Sequence, residues 1–542
     1  MSKLNRLAAY LGWNDKRRRK HSDVSRRRRA RRLLVGERLD GRLLMAGDLA
    51  VPSLRELFAD TFVEGDQPTS RTFIVTTNSD TVSPDGLLSL REAILAANAN
   101  PGLDVIEFDR SLVGSTINLQ DRALGALRIT DDVRIQGWAD NVDTLFDERV
   151  TIDGGGRDGY GTRIFDIDDG RLDNVINVEL AGLVLTNGWT RAQDGAALRN
   201  MENTRVENVK FSHNRAHWQN TYARNESEED WNSVGGAIAN YHNLHLIDSE
   251  VVSNSAIQGK GGGGIYNAWN LLIEDSVVAE NQTPNQGGGI YNDAQAKLEL
   301  HDTLVVRNMA YGQGGGITNL GSLLVEGSEL RENVTRGDVG GGALANGGVA
   351  IIHDSEFSYN KVMGVTANGV SLGGGAVFST GSLTVEGSLF ERNAVNVPTL
   401  TERNQAGGAI HVYGGSATIV DTTFRENKAR DGGAIFLTIG ELHVSQSIFD
   451  SNESIQLGTG NMVGRASITA VGPAFAKKYG TLTVDGTNAF NNNVLLTFGN
   501  SNVANSVYKQ TQRSLEFDDA AESSELVVLT GKALSPIGAR RR

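Results

Sequence analysis

Carboxylates recur along this chain at one fixed place. Asp248, Asp275, Asp302, Asp354 and Asp421 each close the same short apolar pattern, and Gly327 and Gly387 fill that slot in other copies. A column of carboxylates could hold calcium, which gathers roughly six to eight oxygen ligands. Asp exchanging with Gly at one position is also the mark of a turn, and the turn is the simpler reading. Asp166, Asp168 and Asp169 lie closer together in FDIDDG, but their spacing departs from a calcium-loop pattern. Eight of the nine histidines are scattered further along. His245 and His443 occupy outward slots between inward apolar residues, and His301 and His353 the outward slot after them. The expectation is that they are solvated strand residues. No GxSxG, HExxH or P-loop occurs. A glycosidase needs two carboxylates on one short patch, and no pair is singled out. No cofactor is required, and calcium stays as an alternative.

Asparagines and aromatics offer binding rather than catalysis. Asn240, Asn267, Asn292, Asn319 and Asn346 each stand two residues after a repeated apolar residue. Two residues along a strand return to the same face, so these amides should stack inside as a ladder. A second series, from Asn214 to Asn452, ends an FxxN-like motif and should form another ladder at a turn, where Asn tolerates left-handed backbone. Trp218, Tyr222 and Trp231 lie together in the longest interruption of the pattern, where their rings could stack on a sugar or a protein partner.

The elements that must position these residues follow from the repeat. An apolar residue follows a run of small residues at Leu198, Ile238, Ile265, Ile290, Ile317, Leu344, Val377, Ile410 and Ile435. Each copy then runs through an alternating strand such as Leu271-x-Ile273 and on to an FxxN-like motif. Alternation over four or five positions marks half-buried strands, about three per unit. One coil cannot bury its inner face alone, so coils must stack, about 4.8 Å apart, with right-handed crossovers. The fold class is all-β: a right-handed parallel β-helix, a pectate-lyase-like solenoid, with a short N-terminal capping helix. Looser coils are expected at Val133-x-Ile135, Val150-x-Ile152 and Leu183-x-Leu185, making about twelve in all and a rod on the order of 60 Å.

Composition agrees with a turn-rich solenoid. The 542 residues include 64 Gly, 8 Pro and no Cys, which excludes disulfides, thiol catalysis and cysteine zinc sites. Residues 1–50 hold 15 Lys/Arg against 5 Asp/Glu, and the remainder 37 against 60. The acidic body is a poor match for nucleic acid, whose phosphates need a basic surface. No apolar run is long enough for a transmembrane helix.

The chain begins with KRRRK at 16–20 and RRRRARR at 26–32. Leu39-Asp40-Gly41-Arg42-Leu43-Leu44-Met45, followed by Ala46-Gly47-Asp48, resembles the LEPR-XLL segment found after an Arg-rich start in large exported bacterial proteins. The likeness implies export. Further on, Ser89-Leu90-Arg91-Glu92 is a capping box, and Leu90, Ala93, Ile94 and Ala97 form a short apolar stripe that should dock as a lid on the open end of the solenoid. Ser89-Leu90-Arg91-Glu92-Ala93-Ile94 resembles the CSLREA domain, which precedes parallel β-helices in secreted bacterial proteins. Leu88 stands where that motif has Cys, which suits apolar packing.

The pairing of GGAI or GGGI with FxxN over about 195–452 resembles the polymorphic outer-membrane protein repeat, a family of surface-exposed bacterial β-helices implicated in adhesion. Members usually end in an exporting β-barrel, but 453–542 lacks a series of alternating ten-residue strands. The expected organisation is a basic export segment over 1–71, a lid over 72–110, a β-helix over 111–490 and a cap and tail over 491–542. The expected function is structural or adhesive binding at a bacterial cell surface or outside the cell, with surface glycans or proteins as partners. A polysaccharide lyase or glycoside hydrolase on the same fold is the alternative. Insertions support binding: between each FxxN asparagine and the next glycine pair lie 20 residues at 215–234, and 4 to 13 elsewhere. All of them enter at one corner of the coil.

Overall fold

The computed structural model describes residues 53–61 and, with gaps, 70–510; the main gaps are 139–147, 218–232, 365–371, 396–404 and 458–468. Contacts divide the chain into two units, Met1–Gly65 and Asp66–Arg542. In the first, Leu54–Thr61 is a helix. The second is a right-handed parallel β-helix.

One regular coil shows how the sequence builds it. Ile265–Asn267, Asn270–Glu274, Val277–Ala279 and Gln282–Thr283 are four strands separated by sharp turns. We call their stacks sheets I, II, III and IV; among the described residues they hold 13, 14, 13 and 12 strands. Four strands replace the expected three, because the segment after FxxN is only two residues long and too short to show alternation. Strands pair in parallel with equivalents one coil away, so Ile265 meets Ile290 and Leu271 meets Leu298. Among the described residues, two antiparallel pairings occur, both near the C-terminal end: Thr469–Ala470 on Phe475–Lys477, and Asn493–Phe498 on Ala504–Gln510. The looser coils divide between sheets: Val133–Gln136 joins sheet II, whereas Val150–Asp153 and Leu183–Thr186 join sheet III.

The core is columnar. Ile238, Ile265, Ile290 and Ile317 line up in sheet I, and Leu244, Leu271 and Leu298 in sheet II, all buried. In sheet III, Phe357, Phe390, Phe424 and Phe449 stack with ring centroids 4.8, 5.1 and 4.9 Å apart. That is the inter-strand spacing, so each ring contacts the next without leaving its coil.

The glycine pair before each apolar residue has two causes. In several coils its first member is left-handed, as at Gly262, Gly287 and Gly314 with φ of +71°, +66° and +67°, whereas Gly341, Gly374 and Gly407 end short extra strands instead. Its second member lies against the neighbouring coil: a Cβ on Gly288 would sit 2.2 Å from the Gly315 carbonyl oxygen, and one on Gly315 2.3 Å from that of Gly342. No side chain fits there.

At the N-terminal end the helix Leu90–Asn98 packs on strands Thr72–Val75, Asp104–Phe108 and Leu127–Ile129 through Leu90, Ala93, Ile94 and Ala97. Ser89 Oγ accepts from the Glu92 amide, and the Glu92 carboxylate accepts from the Ser89 and Ser83 amides at 2.9 and 2.8 Å. Those amides, Ser89 first, hold the Glu92 carboxyl below the usual range. Arg91 is buried and fully engaged. It forms a fork on Asp80 at 2.7 and 2.9 Å and donates to the carbonyls of Leu124, Gly125 and Ala126. The SLRE residue types are therefore explained by capping and by riveting the helix to the first coils. Leu88 packs against the core.

Candidate functional site

Three hydrogen-bonded ladders run through the coils and fix the outer surface. In sheet I, Asn200 Nδ2 donates to Asn240 Oδ1 at 2.8 Å, and the chain continues through Asn267, Asn292, Asn319 and Asn346 at 2.7–2.8 Å. Ser379 Oγ receives the next bond. These amides are buried and also donate to backbone carbonyls at the following corner. The FxxN asparagines form a second ladder: Asn254 Nδ2 donates to Asn281 Oδ1 at 3.0 Å, and Asn281 to Asn308 at 3.0 Å. The left-handed residue at that turn is not the Asn but the one before it, as at Ser253, Glu280, Arg307 and Tyr359. The Asn instead spends its amide between coils. Sequence reasoning missed a third ladder, of hydroxyls. Ser276, Ser328, Ser355 and Ser388 accept through Oγ from the amides of Ser249, Thr303, Ser328 and Ser355, each one coil earlier. Its signal was the Ser or Thr that follows each Asp or Gly of the turn column.

The Asp column occupies that turn. Asp248, Asp275, Asp302, Asp354 and Asp421 have φ between +46° and +49°, with Gly327 and Gly387 at +59° and +62°. Backbone geometry alone accounts for Asp and Gly exchanging there. Among the described residues, one group of three acidic side chains comes within 4.8 Å: Asp168, Asp169 and Glu202. Asp168 is taken by Arg199 and the Gly170 amide, Asp169 by Asn174 and the Arg171 amide, and Glu202 by the Asp169 and Ile176 amides. The group is a tied turn.

The histidines correct the expectation of solvated strand residues. His353 is half-exposed and His443 exposed, but His245 and His301 are buried on the outer face of sheet II. Carboxylates cover them: Glu274 lies 2.8 Å from His245, and Glu299 and Glu326 flank His301. Burial first of all pulls the His245 imidazole below its usual range, against the pull of Glu274. His411 is wholly buried among Phe378, Tyr413 and Phe436, which pushes it down to about 3.

The insertion corner lies between sheets IV and I. Trp218, Tyr222 and Trp231 lie outside the described residues, but both ends of their loop are placed. At the entry, His217 stacks on Trp189 with centroids 6.3 Å apart. At the exit, the Val234 amide donates to Asp194 Oδ1 at 3.1 Å. Asp194 Oδ2 accepts from the Tyr241 hydroxyl, and Asp293 accepts from Tyr266 and from Lys260 at 2.7 Å. Tyr241, Tyr266 and Tyr291 follow one another at 5.8 and 5.7 Å, with Val234 packed against them. Burial, then the charge of Asp293, pushes the Tyr291 hydroxyl up to about 12. Tyr241 and Tyr266 are raised further, by burial first and then by their carboxylate partners. All three hydroxyls stay protonated at neutral pH, and Tyr241 and Tyr266 act as donors. Beside them Arg199 bridges Asp166 and Asp168 at 2.6 and 2.8 Å. These carboxylates are engaged by neighbouring side chains and amides, so the wall is a tied base for the insertion. Further along the same corner, Val339–Gly341, Leu372–Gly374 and Gln405–Gly407 pair as an additional parallel sheet.

The segment 421–438 matches the family model described as the Chlamydia polymorphic membrane protein (Chlamydia_PMP) repeat. It runs from the turn Asp421 through core Phe424 and ladder Asn427 to Gly433-Ala434-Ile435. A search of curated proteins found no match. One coil of this β-helix is thus similar to that repeat, and its marks recur in the other regular coils.

Proposed function

We propose that this chain is an exported, surface-exposed bacterial β-helix that binds surface glycans or proteins through its insertion corner. One observation carries the reading. The longest insertion leaves and rejoins the coils at fixed points, the His217–Trp189 stack and the Asp194–Val234–Tyr241 junction. A rigid base lets a loop present side chains at low entropic cost, and solenoid insertions that share one face often mark the binding face. The similarity at 421–438 to a membrane-protein repeat supports a surface location, as does the Arg-rich start. No helix among the described residues is long and apolar enough to cross a membrane.

Deleting 218–231 with a short glycine link tests the proposal. The β circular-dichroism signal should persist while binding to cells or glycan arrays is lost. Binding that survives the deletion sinks it. Steady production of unsaturated or reducing ends from acidic polysaccharides, abolished by changing one Asp, would favour the enzymatic alternative.

A further inference from the structure

Sheet IV presents a charge opposite to that of the acidic body. The residue between its outward positions is buried on strand after strand, as Ala216, Ala310, Val362 and Ala429 are. Outward stand Arg191, Arg215, Arg336, Lys361 and Lys428, all exposed. Among the described residues of this sheet one carboxylate points outward, Glu453, and it lies 2.9 Å from Lys428 Nζ. The neighbouring sheets have the reverse balance. Glu274, Glu326 and Glu386 share one outer row of sheet II, and Glu250, Glu329 and Glu356 one of sheet III.

The cations are grouped. At the N-terminal end, pairing sets Trp189 opposite Arg215 and Arg191 opposite His217. Burial, then the charges of Arg215 and Arg191, holds the His217 imidazole below its usual range, so positive groups crowd one another there. Further along, Arg336 stands over the exposed Tyr311 ring, 5.4 Å from its centroid, and Lys361 follows on the next strand. Among the described residues, Arg215, Arg336 and Lys361 meet no carboxylate. Like charges on neighbouring strands destabilise a sheet, so this strip is stabilised by a bound anion.

We propose that the outer face of sheet IV binds a linear acidic glycan laid across successive strands. The inference rests on the surface-binding role proposed above and names the chemistry of the ligand. From Arg191 to Lys428 the strip crosses eight inter-strand steps in the order of the sheet, about 38 Å. Five cations over that length match a polymer with an acid on alternate sugars. They are too sparse for duplex nucleic acid, which carries one charge per about 1.7 Å of its axis. Guanidinium forks grip carboxylate oxygens in pairs, and the half-buried Trp189 and exposed Tyr311 offer ring faces beside them. The competing occupant is the insertion rooted at His217, whose sequence contains the acidic run Glu226-Ser227-Glu228-Glu229-Asp230.

Calorimetry with hyaluronate oligosaccharides, and with neutral dextran oligosaccharides as control, tests the assignment. The full-length chain is used with the Lys and Arg of 16–20 and 26–32 changed to Gln, so that the basic start does not bind the polymer. It should bind hyaluronate and not dextran, with an affinity that falls as salt rises. Arg215→Gln with Lys361→Gln should weaken binding at least about tenfold, and Arg205→Gln on sheet II should leave it unchanged. The two substituted residues are exposed, so the fold persists, which circular dichroism checks. Absence of hyaluronate binding, or binding unaltered by the paired substitutions, overturns the proposal. Tighter binding of duplex DNA or anionic phospholipid vesicles overturns it as well, as does hyaluronate binding that appears only after 218–231 are deleted. Dextran binding that needs the insertion but neither Arg215 nor Lys361 would sink this inference and leave the corner reading standing; hyaluronate binding that needs both cations but not the insertion would do the reverse.

Discussion

The lid and the regular coils solve the same problem by opposite means. Both must cover apolar surface and satisfy buried polar groups. The lid does so once, through Arg91, whose guanidinium makes five hydrogen bonds to Asp80 and three carbonyls. The coils do so many times, through amides and hydroxyls that each hold one neighbour. A single contact concentrates the stability of an element in one residue, whereas a ladder spreads it over the array. In a stack where each coil touches only its neighbours, damage to one rung should also stay local in origin and be shared in effect.

The sharpest way to break this contrast is Arg91→Met. Removing one partner of a buried pair strands Asp80 and three carbonyls, at about 3–5 kcal/mol. Hydrogen exchange should accelerate over 90–98 while the amides of 265–283 stay protected. Uniform acceleration would mean that the lid and coils unfold together. Asn292→Leu comes next: it leaves Asn267 without its acceptor and Asn319 without its donor, at about 1–3 kcal/mol. A melting temperature equal to wild type would show that the ladder adds nothing.

Acid sharpens the comparison, because the buried histidines belong to the coils and 72–110 contains none. His411 binds its proton near 6.5 when unfolded but only at about 3 when folded. Its contribution is whole above pH 6.5 and falls as pH drops toward 3, by about 1.4 kcal/mol per unit. Between pH 6.5 and 5 the coils should therefore weaken and the lid should not. Below the ordinary glutamate range the lid follows, since Glu92 is held low in the folded state. His411→Leu should flatten the first limb of a stability–pH curve; an unchanged slope would assign acid sensitivity elsewhere. The smallest effect belongs to Ser328→Ala, which removes one rung of the hydroxyl ladder and should cost about 1 kcal/mol in denaturant melts. A loss as large as that of Asn292→Leu would rank hydroxyls and amides alike.

Much of the fold could be read before any coordinates, because its determinants are periodic. The glycine pair, the inward apolar residue and the ladder asparagine recur at spacings that only stacked coils explain, and SLRE states its own cap. What escaped reading was either too short or lay between coils. Gln282–Thr283 has too few residues to alternate. The left-handed slot before each FxxN asparagine holds His, Ser, Glu, Arg or Tyr, so residue type hides it. The burial of His301 depends on Glu299 and Glu326, and only strand register brings Glu326 alongside. The insertion corner was legible as a place, from insertion lengths, but not as a surface. Tyr241 finds Asp194 from 47 residues away, across the very insertion that interrupts the repeat.

In both ladders the bond from one asparagine to the next runs in one sense, from an amide nitrogen to the side-chain oxygen of the coil that comes later, while in the FxxN ladder the same nitrogen also holds a carbonyl of the coil before. A finished coil therefore presents outstretched donors on the side where the next will arrive, and each newcomer supplies the matching oxygen. Growth from the first coil onward always meets a template already poised to receive, and the chain can become ordered in the order in which it is made.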